Sequence, residues 1–366
     1  MAKVVSLKIT RHEINSKDLP ELQYLFRLDA LPLANAEWQL TLNNISVAAV
    51  NGLRRALTDE ILGQALQVLP GGFNVELTTD RFMLPQFVLR RLSCIRLRPQ
   101  ISAEIIANLR LKLDITNQGA TPYSVYTGDL EVVEGSLSEP IFNPTTRLAV
   151  LQPGKRIVIN DIYISTGYGR ENGIYNVACR TAFTHLDIEQ YTDAEMRNED
   201  GVAADQSGYK TSSLMANPKK HILTGIIPAT SSNLAETRAV LEDACMNIKE
   251  RLKLIATAVE RRDELPSGGF AHRGVQYTVV KLETGLSEGI LQVPGESHTI
   301  GELIRRTAYD LTPDIANVAY TIVSHENRLS ITIRHTEDVT RILMNAINFA
   351  INTFDNLQRG INSARI

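Results

Sequence analysis

Apolar positions follow two different periods along the chain, and each change of period marks a predicted element. In "EWQLTLNN" every second residue from Trp38 is apolar, which predicts a strand buried on one face. Between positions 47 and 61 apolar residues recur every three or four positions, which predicts an amphipathic helix with Ser46 as its N-cap. The turn residues of "LPGGF" (69–73) end this segment.

The next stretch changes from helical to alternating periodicity. Pro85 stands at an early helical position in "DRFMLPQFVLRRLSCIRLRP" (80–99), which predicts a short helix. From about 104 to 190 the pattern alternates, as in "LRLKLDIT", "KRIVINDIYIS" and "YNVACRTAF", and predicts a mostly β insertion. Within it "GYGRENG" favours a hairpin or bulge, and the polar stretch 192–222 that follows is typical of a loop.

The opening pattern returns after a linker. A long amphipathic helix is predicted over 234–262, and "DELPSGGFAHRG" (263–274) has the proline and paired glycines of a linker. Beyond it, "VQYTVVKLE" predicts a strand, "HTIGELIRRTAYDL" a helix, and "ANVAYTIVS" with "RLSITIRHT" a hairpin. Thr299 and Glu302 have the spacing of a capping box. A last long helix follows from about 337 to 358.

The repeat concerns architecture as well as sequence. "VNGLRRALTDE" (50–60) and "GELIRRTAYD" (301–310) each place an arginine pair beside the apolar stripe of a helix, after a strand and before a long closing helix. Two similar units in one chain predict a pseudo-twofold pair whose long helices pack on each other. We therefore expect much of the apolar surface of both long helices to be buried between the halves.

Composition limits the possible functions. The 366 residues are 43% hydrophobic and 22% charged, which suffices for two or three domains with a sizeable core. A formal net charge of −3 means that the chain has no strongly basic surface, so strong direct DNA binding is not expected.

The sequence has neither an apolar run long enough to span a membrane nor the apolar core of a signal peptide, which favours an intracellular protein. Cys94, Cys179 and Cys245 are too widely spaced for a zinc site and are expected to be small buried thiols.

Candidate catalytic groups are few. His185 and Asp187 in "FTHLDIEQ" could form an acid/base pair, but alternating positions after a strand are more often polar surface groups. "GYGRENG" lacks the strand–loop–helix context of a phosphate loop, and Asp187 with Glu189 supplies too few ligands for magnesium. We expect no catalytic residue, no metal and no cofactor in this chain.

The arginine pairs allow two interpretations. As solvated helix flanks with partners such as Asp59 for Arg55, they would contribute less than ~1 kcal/mol each. As interface groups, their planar guanidinium ions would bind carboxylates and backbone carbonyls of a partner. Three such pairs stand beside apolar helix stripes, so the sequence favours neither interpretation over the other.

These residues resemble a known family. "VNGLRRALTDE" with "FMLPQFVLRRLSCIRLRP" is similar to the signature of the α-like assembly subunits of RNA polymerases, in which an N-x-L-R-R helix precedes a segment ending R-L-x-x-I-P-L. The first half resembles the third-largest eukaryotic subunit or archaeal D. The second half, through "HTIGELIRRTAYDL", resembles the eleventh subunit or archaeal L. With "PIFNPT", "LQPGKRIVINDIYISTGYGR" and "HLDIEQY", the fused chain most resembles the single-chain form of large DNA viruses of the asfarvirus type.

The resemblance implies an α+β fold in which two related α-like dimerisation modules form an intrachain pseudo-dimer, the first carrying a mostly β insertion domain. The implied boundaries are 1–265 for the D-like half (module 1–100 and 190–265, insertion about 101–190), 266–274 for the linker and 275–366 for the L-like module. The cysteine-rich zinc loop of some relatives is missing, so no zinc is carried over. The DNA-binding domain of the bacterial α chain is missing as well.

The implied function is that of a non-catalytic assembly platform of a multisubunit DNA-directed RNA polymerase. Its partners would be the largest and second-largest subunits, which would hold the catalytic magnesium, together with small zinc-ribbon-type subunits. The implied location is the host cytoplasm, in viral factories, and the virion. A homodimeric protein-interaction module unrelated to transcription is the alternative.

The resemblance also assigns binding residues. Those expected to dock on the second-largest subunit are Asn51, Arg54 and Arg55 together with Arg90, Arg91 and Arg96 of the 80–98 segment. That segment ends "IRLRP" instead of I-P-L, which leaves its detailed contacts open. Those expected to support the interface between the halves, or to contact the largest subunit, are His298, Thr299, Gly301, Arg305 and Arg306.

Overall fold

Helices and strands contribute in similar measure to the computed structural model, and the fold class is α+β as the sequence predicts. The residues that the structure describes are 3–13, 34–69, 85–99, 101–137, 141–185, 220–229, 234–261, 274–312, 314–323, 325 and 327–364. The strands are β1 (Lys3–Glu13), β2 (Ala34–Asn43), β3 (Leu62–Val68), β4 (Arg110–Thr116), β5 (Tyr123–Tyr126), β6 (Glu131–Glu134), β7 (Arg147–Leu151), β8 (Arg156–Tyr168), β9 (Cys179–His185), β10 (Lys220–Ala229), β11 (Gln276–Lys281), β12 (Ser287–Pro294), β13 (Asn317–Val323) and β14 (Arg328–His335). The α-helices are α1 (Val47–Arg55), α2 (Pro85–Ser93), α3 (Ala103–Asn108), α4 (Leu234–Glu260), α5 (His298–Leu311) and α6 (Val339–Ser363).

Two four-stranded antiparallel sheets share one topology. The first has the strand order β1-β2-β10-β9 and the second the order β11-β12-β14-β13. In each sheet the second strand leads into a shorter helix, α1 or α5, and the last strand along the chain leads into a long helix, α4 or α6. Once β3 to β8 are set aside, the two units have the same elements in the same order.

The turn between strand and helix is also repeated. Asn44 after β2 and Gly295 after β12 both have positive φ, at 56° and 71°. Glycine and asparagine are the residues that adopt this backbone conformation most readily. Ser46 and Ser297 then cap the helices, because their side chains accept hydrogen bonds from Ala49 N and Thr299 N.

One core, here called the first core, joins both of these sheets to their helices. Helix α4 packs along α6, and both present apolar stripes at helical spacing, including the fully buried Leu241, Ile248, Leu252 and Phe354. Trp38 of β2 is also fully buried in this core. Each such side chain contributes about 1.5–3 kcal/mol by leaving water.

A second core lies under the sheet β3-β8-β4-β6, the pair β5-β7 and helix α2. It includes Leu66 of β3 and Leu92 of α2, both fully buried. Strand β3 pairs with β8 and strand β9 pairs with β10 of the first sheet. The bounds that the resemblance implies differ from this grouping, because they assign 62–100 to the first module and residues up to 190 to the insertion.

Two predicted connections fall mostly outside the described residues. Of the expected loop 192–222, only 220–222 are described, and they are strand residues of β10. Of the linker 263–274, only Gly274 is described. Within the described parts of the chain no helix combines the length and the hydrophobicity that crossing a membrane takes.

The α6 helix offers a matched pair of substitutions for testing the first core. Phe354 is fully buried, whereas Phe349 on the same helix is 52% exposed. We expect Phe354→Ala to lower the free energy of unfolding by about 3–5 kcal/mol because it leaves a cavity, and Phe349→Ala to change it little. Urea unfolding followed by circular dichroism measures both. Equal losses would contradict the packing described here.

Candidate partner-docking surface and interface network

Helices α1 and α5 meet directly, with α4 beneath them. A Cβ atom placed on Gly52 of α1 would lie 3.4 Å from Thr299 Cγ2 of α5 and 3.9 Å from Ile248 Cδ1 of α4. A methyl group would therefore fill the remaining space, and any larger side chain would push the helices apart. The two arginine-bearing helices are held together at this point.

The first arginine of each pair makes an equivalent contact within its own helix. Arg54 Nε donates to Asn51 Oδ1 at 2.9 Å. Arg305 Nε and Nη2 donate to Glu302 Oε2 and Oε1 at 2.7 and 2.6 Å. In both cases the acceptor lies three residues earlier, which is one turn of the helix. The sequence repeat is thus preserved at the level of side-chain contacts.

The second arginines behave differently. Arg55 Nε donates to Thr299 Oγ1 of α5 at 3.0 Å, so its partner is Thr299 and not Asp59. Arg306 instead pairs with Asp310 of its own helix at 3.1 Å and lies over the ring of Tyr309. Arg55 therefore contributes to the contact between α1 and α5, while Arg306 remains on the surface of α5.

A buried polar network adjoins this contact and centres on Glu60, which is 4% exposed. Glu60 Oε1 accepts hydrogen bonds from Thr299 Oγ1 at 2.6 Å and Ser297 Oγ at 2.8 Å. Its Oε2 accepts from Arg251 Nη1 of α4 at 2.5 Å. Arg251 also forms a two-point ion pair with Glu296, through Nε–Oε1 at 3.1 Å and Nη2–Oε2 at 2.5 Å. We call Glu60, Arg251, Glu296, Ser297 and Thr299 the interface network.

The backbone brings Glu60 into the network through a π-helical turn. Residues Ala56–Glu60 follow α1 with this wider geometry, and Ile61 N donates to Ala56 O at 3.2 Å. A π turn inserts one extra residue and so changes the direction of the side chains that follow it. Asn247 Nδ2 of α4 donates to Glu60 O at 3.2 Å and fixes the end of the turn.

The network keeps both of its central groups charged. Burial acts to raise the pKa of Glu60, but the charge of Arg251 and the hydrogen bonds of Thr299, Arg251 and Ser297 outweigh it, so the pKa lies below its ordinary value. Burial acts to lower the pKa of Arg251, but the hydrogen bonds and charges of Glu296 and Glu60 raise it above its ordinary value. The buried carboxylate of Glu60 and the partly buried guanidinium ion of Arg251 thus stabilise each other.

The predicted capping box is wrong. Ser297, and not Thr299, is the N-cap of α5, and its hydroxyl accepts from Thr299 N at 3.2 Å. The Thr299 hydroxyl is used by Glu60 and Arg55, and the Glu302 carboxylate by Arg305. The serine one residue before the helix satisfies its first amides, which leaves Thr299 available to the network.

Two further predicted residues pack against the second sheet. A Cβ atom on Gly301 would lie 2.6 Å from Tyr320 Cδ2 and 2.7 Å from Leu329 Cδ1, so only glycine lets α5 approach β13 and β14 this closely. His298 is exposed, and its ring lies edge-on to Tyr320 with centroids 5.8 Å apart. Gly301 therefore has a packing role, while His298 remains accessible.

The arginines of the 80–98 segment are also of two kinds, exposed ones and one that bonds within the chain. Arg90 and Arg91 are exposed on α2, where Arg91 Nη1 donates to Leu148 O at 3.1 Å. Arg96 Nη1 donates to Asn176 O at 2.7 Å and to Ile174 O at 3.4 Å. Arg96 thus fastens the end of this segment to the connection between β8 and β9.

The remaining candidate groups from the sequence are the His185–Asp187 pair, a metal site and the three cysteines. The side chain of His185 and all of Asp187 lie outside the described residues. Among the residues that are described, no three His, Cys, Asp or Glu side chains are grouped to hold a metal ion. The expectation of three buried thiols is wrong for Cys94, which is exposed at the end of α2, and for Cys179, which is only half-buried. Cys245 is buried, and burial raises the pKa of its thiol to about 12.

Sequence reasoning missed Glu60, Arg251 and Glu296. A signal for Arg251 existed, because it stands among the apolar positions Ile248 and Leu252 of the α4 stripe, where a charged residue is expected only with a partner. Its two carboxylate partners are remote in sequence, so the pairing required the fold.

No profile of a known protein family matches the chain. The chain is nevertheless 35% identical over 346 residues to the "DNA-directed RNA polymerase RPB3-11 homolog" of African swine fever virus, Badajoz strain, across 92% of this chain and 91% of the relative. The homolog of the same name from a Kenyan pig isolate of that virus is 34% identical over 345 residues, with the same coverage. Both arginine-bearing halves therefore have their counterparts within a single relative.

The charge state of Glu60 makes a prediction about acid stability. Because its pKa is lowered on folding, its stabilisation is present above the ordinary value of 4.5 and is lost as the pH falls through the folded pKa. We expect Glu60→Gln to lower the free energy of unfolding by about 3 kcal/mol at pH 7 and to weaken its decline below pH 4.5. Urea unfolding across this range measures both, with Glu171→Gln at an exposed position as control. Identical acid dependence in wild type and Glu60→Gln would refute the assignment.

Proposed function

The chain belongs to the family of the DNA-directed RNA polymerase RPB3-11 homologs, and its function is that of an assembly subunit of such a polymerase. We propose that it is a non-catalytic platform on which the largest and second-largest subunits assemble. The observation that carries this proposal is the pair of sheets with one topology, joined through a common core and presenting equivalent arginine helices. A platform for two large partners needs two related surfaces held in a fixed relation.

The platform is, in this proposal, an intrachain pseudo-dimer. The first half contains β1, β2, α1, β9, β10 and α4, and the second half contains β11 to β14 with α5 and α6. The shared strand order and the repeated positive-φ turn and serine cap support this division. We place the insertion domain at about 62–178 in place of 101–190, because β3 and α2 belong to the second core and β9 pairs within the first sheet.

Two exposed patches are the best candidates for docking. On α2, Phe87 is 58% exposed and lies on the same helix as Arg90 and Arg91. On α5, Tyr309 is 52% exposed beside Arg306. Aromatic residues and arginine are enriched at protein interfaces and carry much of their binding energy. We assign the α2 patch, with Arg54 and Asn51 of α1, to the second-largest subunit and the α5 patch to the largest.

The remaining parts of the proposal follow from this role. The catalytic magnesium would belong to the large subunits, and this chain would hold no cofactor. Small zinc-ribbon-type subunits would be further partners, and the complex would act inside the host cell, in viral factories, and be carried in the virion. Of the residues first considered for docking, Thr299, Gly301 and Arg96 are used within the chain, and we propose structural roles for them.

Copurification tests the platform function. We expect the combined variant Phe87→Ala/Arg90→Glu to reduce copurification of the second-largest subunit at least tenfold, because interface anchors and charge reversal each weaken binding by more than about 1.4 kcal/mol. Thermal unfolding should match wild type, since both side chains are exposed. The matched control is Phe349→Ala/Arg341→Glu on α6, which has the same two changes at exposed positions.

Two outcomes would count against the proposal. Full recovery of the second-largest subunit with Phe87→Ala/Arg90→Glu would reject the α2 patch. A wild-type chain that brings down neither large subunit from infected cells would reject the platform itself and favour a free-standing interaction module. Arg55 is unsuited to this test, because its bond to Thr299 couples any change there to folding.

A further inference from the structure

We propose that the interface network decides which halves pair: it makes the first half accept a second half and disfavours the pairing of like halves from two chains. The inference rests on the proposed pseudo-dimer and goes beyond it. A chain with two similar halves has three possible pairings, first with second, first with first, and second with second. Only a feature that is present on one side of the pseudo-twofold axis can distinguish them.

The two halves can be matched residue by residue around the network. Asn44, Ser46 and Arg54 correspond to Gly295, Ser297 and Arg305 at one constant spacing, as their shared backbone, capping and side-chain geometry indicates. Helices α4 and α6 match through their buried positions, Leu241 with Leu343, Ala244 with Ala346, Ile248 with Ala350 and Leu252 with Phe354. The residues equivalent to Glu60, Arg251, Glu296 and Thr299 are then Leu311, Thr353, Ile45 and Ala48.

The network therefore exists on one side of the pseudo-dimer and has an uncharged counterpart on the other. On that other side Thr353 Oγ1 donates to Phe349 O of its own helix, at 2.9 Å. Leu311 is 42% exposed, in contrast to the buried Glu60. Arg306, the counterpart of Arg55, pairs with Asp310 of its own helix, where Ala48 would offer it no hydroxyl group.

Each like pairing would break the network. If two first halves met, Glu60 and Arg251 would keep their own ion pair but would face Ile45 and Ala48. Arg251 would then lose the two-point pair with Glu296, and Glu60 would lose the hydroxyl group of Thr299. If two second halves met, Glu296 would face Thr353 without a cation. In the second case the Glu296 carboxylate would be left uncompensated, which is unfavourable for a largely buried charge. In the first case the cost is the lost hydrogen bonds and the lost second carboxylate of Arg251. The unlike pairing alone supplies both carboxylates and the arginine.

This selection would keep the chain closed on itself. Like pairing between chains would leave the remaining halves free to pair again, which produces open-ended assemblies. Pairing of first with second halves within one chain satisfies both surfaces at once. The linker favours this arrangement by raising the effective concentration of the second half, and the network adds selectivity that a linker cannot supply.

Exchange of the charges across the interface tests the proposal with full-length chains. Arg251→Glu alone would place three carboxylates together, and Glu296→Arg alone would place two guanidinium groups beside one carboxylate. We expect each variant, refolded alone, to retain less than a tenth of the wild-type yield of folded one-chain species. Refolded together at equal concentration, they should form a two-chain species, because every half then finds a complementary partner. Size-exclusion chromatography with light scattering measures both.

The doubly changed chain and a control pair complete the experiment. Arg251→Glu/Glu296→Arg within one chain should recover the one-chain species. Lys249→Glu and Asp355→Lys alter another ion pair between α4 and α6, of 2.7 Å, whose Asp355 side chain is 32% exposed, and each should remain one-chain. Recovery of a folded species, two-chain from the mixture or one-chain from the double variant, supports the proposal that the network selects which halves pair.

Two results would overturn the inference. One is single variants that fold and remain one-chain like the wild type. The other is failure of both the mixture and the double variant to recover. A wild-type chain that refolds into several-chain species would instead count against the proposed intrachain pairing, and loss of large-subunit binding with normal pairing would count against the platform alone.

Discussion

The packing of α4 against α6 is the contact on which the rest of the structure depends. Each long helix has an apolar stripe, and the two stripes close on each other in the first core, which also contains both four-stranded sheets. A stripe of this kind left in water would forfeit about 25 cal/mol for each Å² of apolar surface. The joined core fixes the relation between the sheets, and that fixed relation brings α1 onto α5 and creates the surface on which partners can dock.

Stability alone does not explain why the interface network places charged groups beside the first core. Replacing buried ion pairs by apolar residues is often neutral or stabilising, because removing two charges from water costs as much as their attraction returns. The equivalent positions on the other side of the molecule, Ile45, Ala48, Leu311 and Thr353, are uncharged, so the fold itself tolerates a simpler solution. The π turn directs Glu60 inward, and hydroxyl groups donate hydrogen bonds to its carboxylate. Both features are therefore best understood as devices for the proposed specificity of pairing between the halves.

Sequence periodicity predicted the long helices, α1 with its Ser46 cap, α2, and the β13–β14 hairpin, because each is a run of one period bounded by caps or turn residues. Among the strands that it missed are β1, β3 and β10. Strand β3 follows a helix after one residue, with no turn residues to separate them, and β10 follows directly on a polar stretch. The identity of the docking arginines could not be predicted either. Arg54, Arg55 and Arg96 look alike in sequence. Only the fold shows that Arg54 bonds within its own helix, whereas Arg55 and Arg96 bond to residues remote in sequence.

The position of the second core makes the two similar halves of the fold unequal. In the second half, a few residues join α5 to β13, whereas in the first half the equivalent connection from α1 to β9 contains the whole of β3 to β8. Insertion at this point leaves every strand pair of the first sheet intact. The inserted segment also adds helix α2, with its exposed Phe87 and arginines, to the first half and not to the second. The two halves thereby become unequal, which is what the proposed platform for two different large subunits would require.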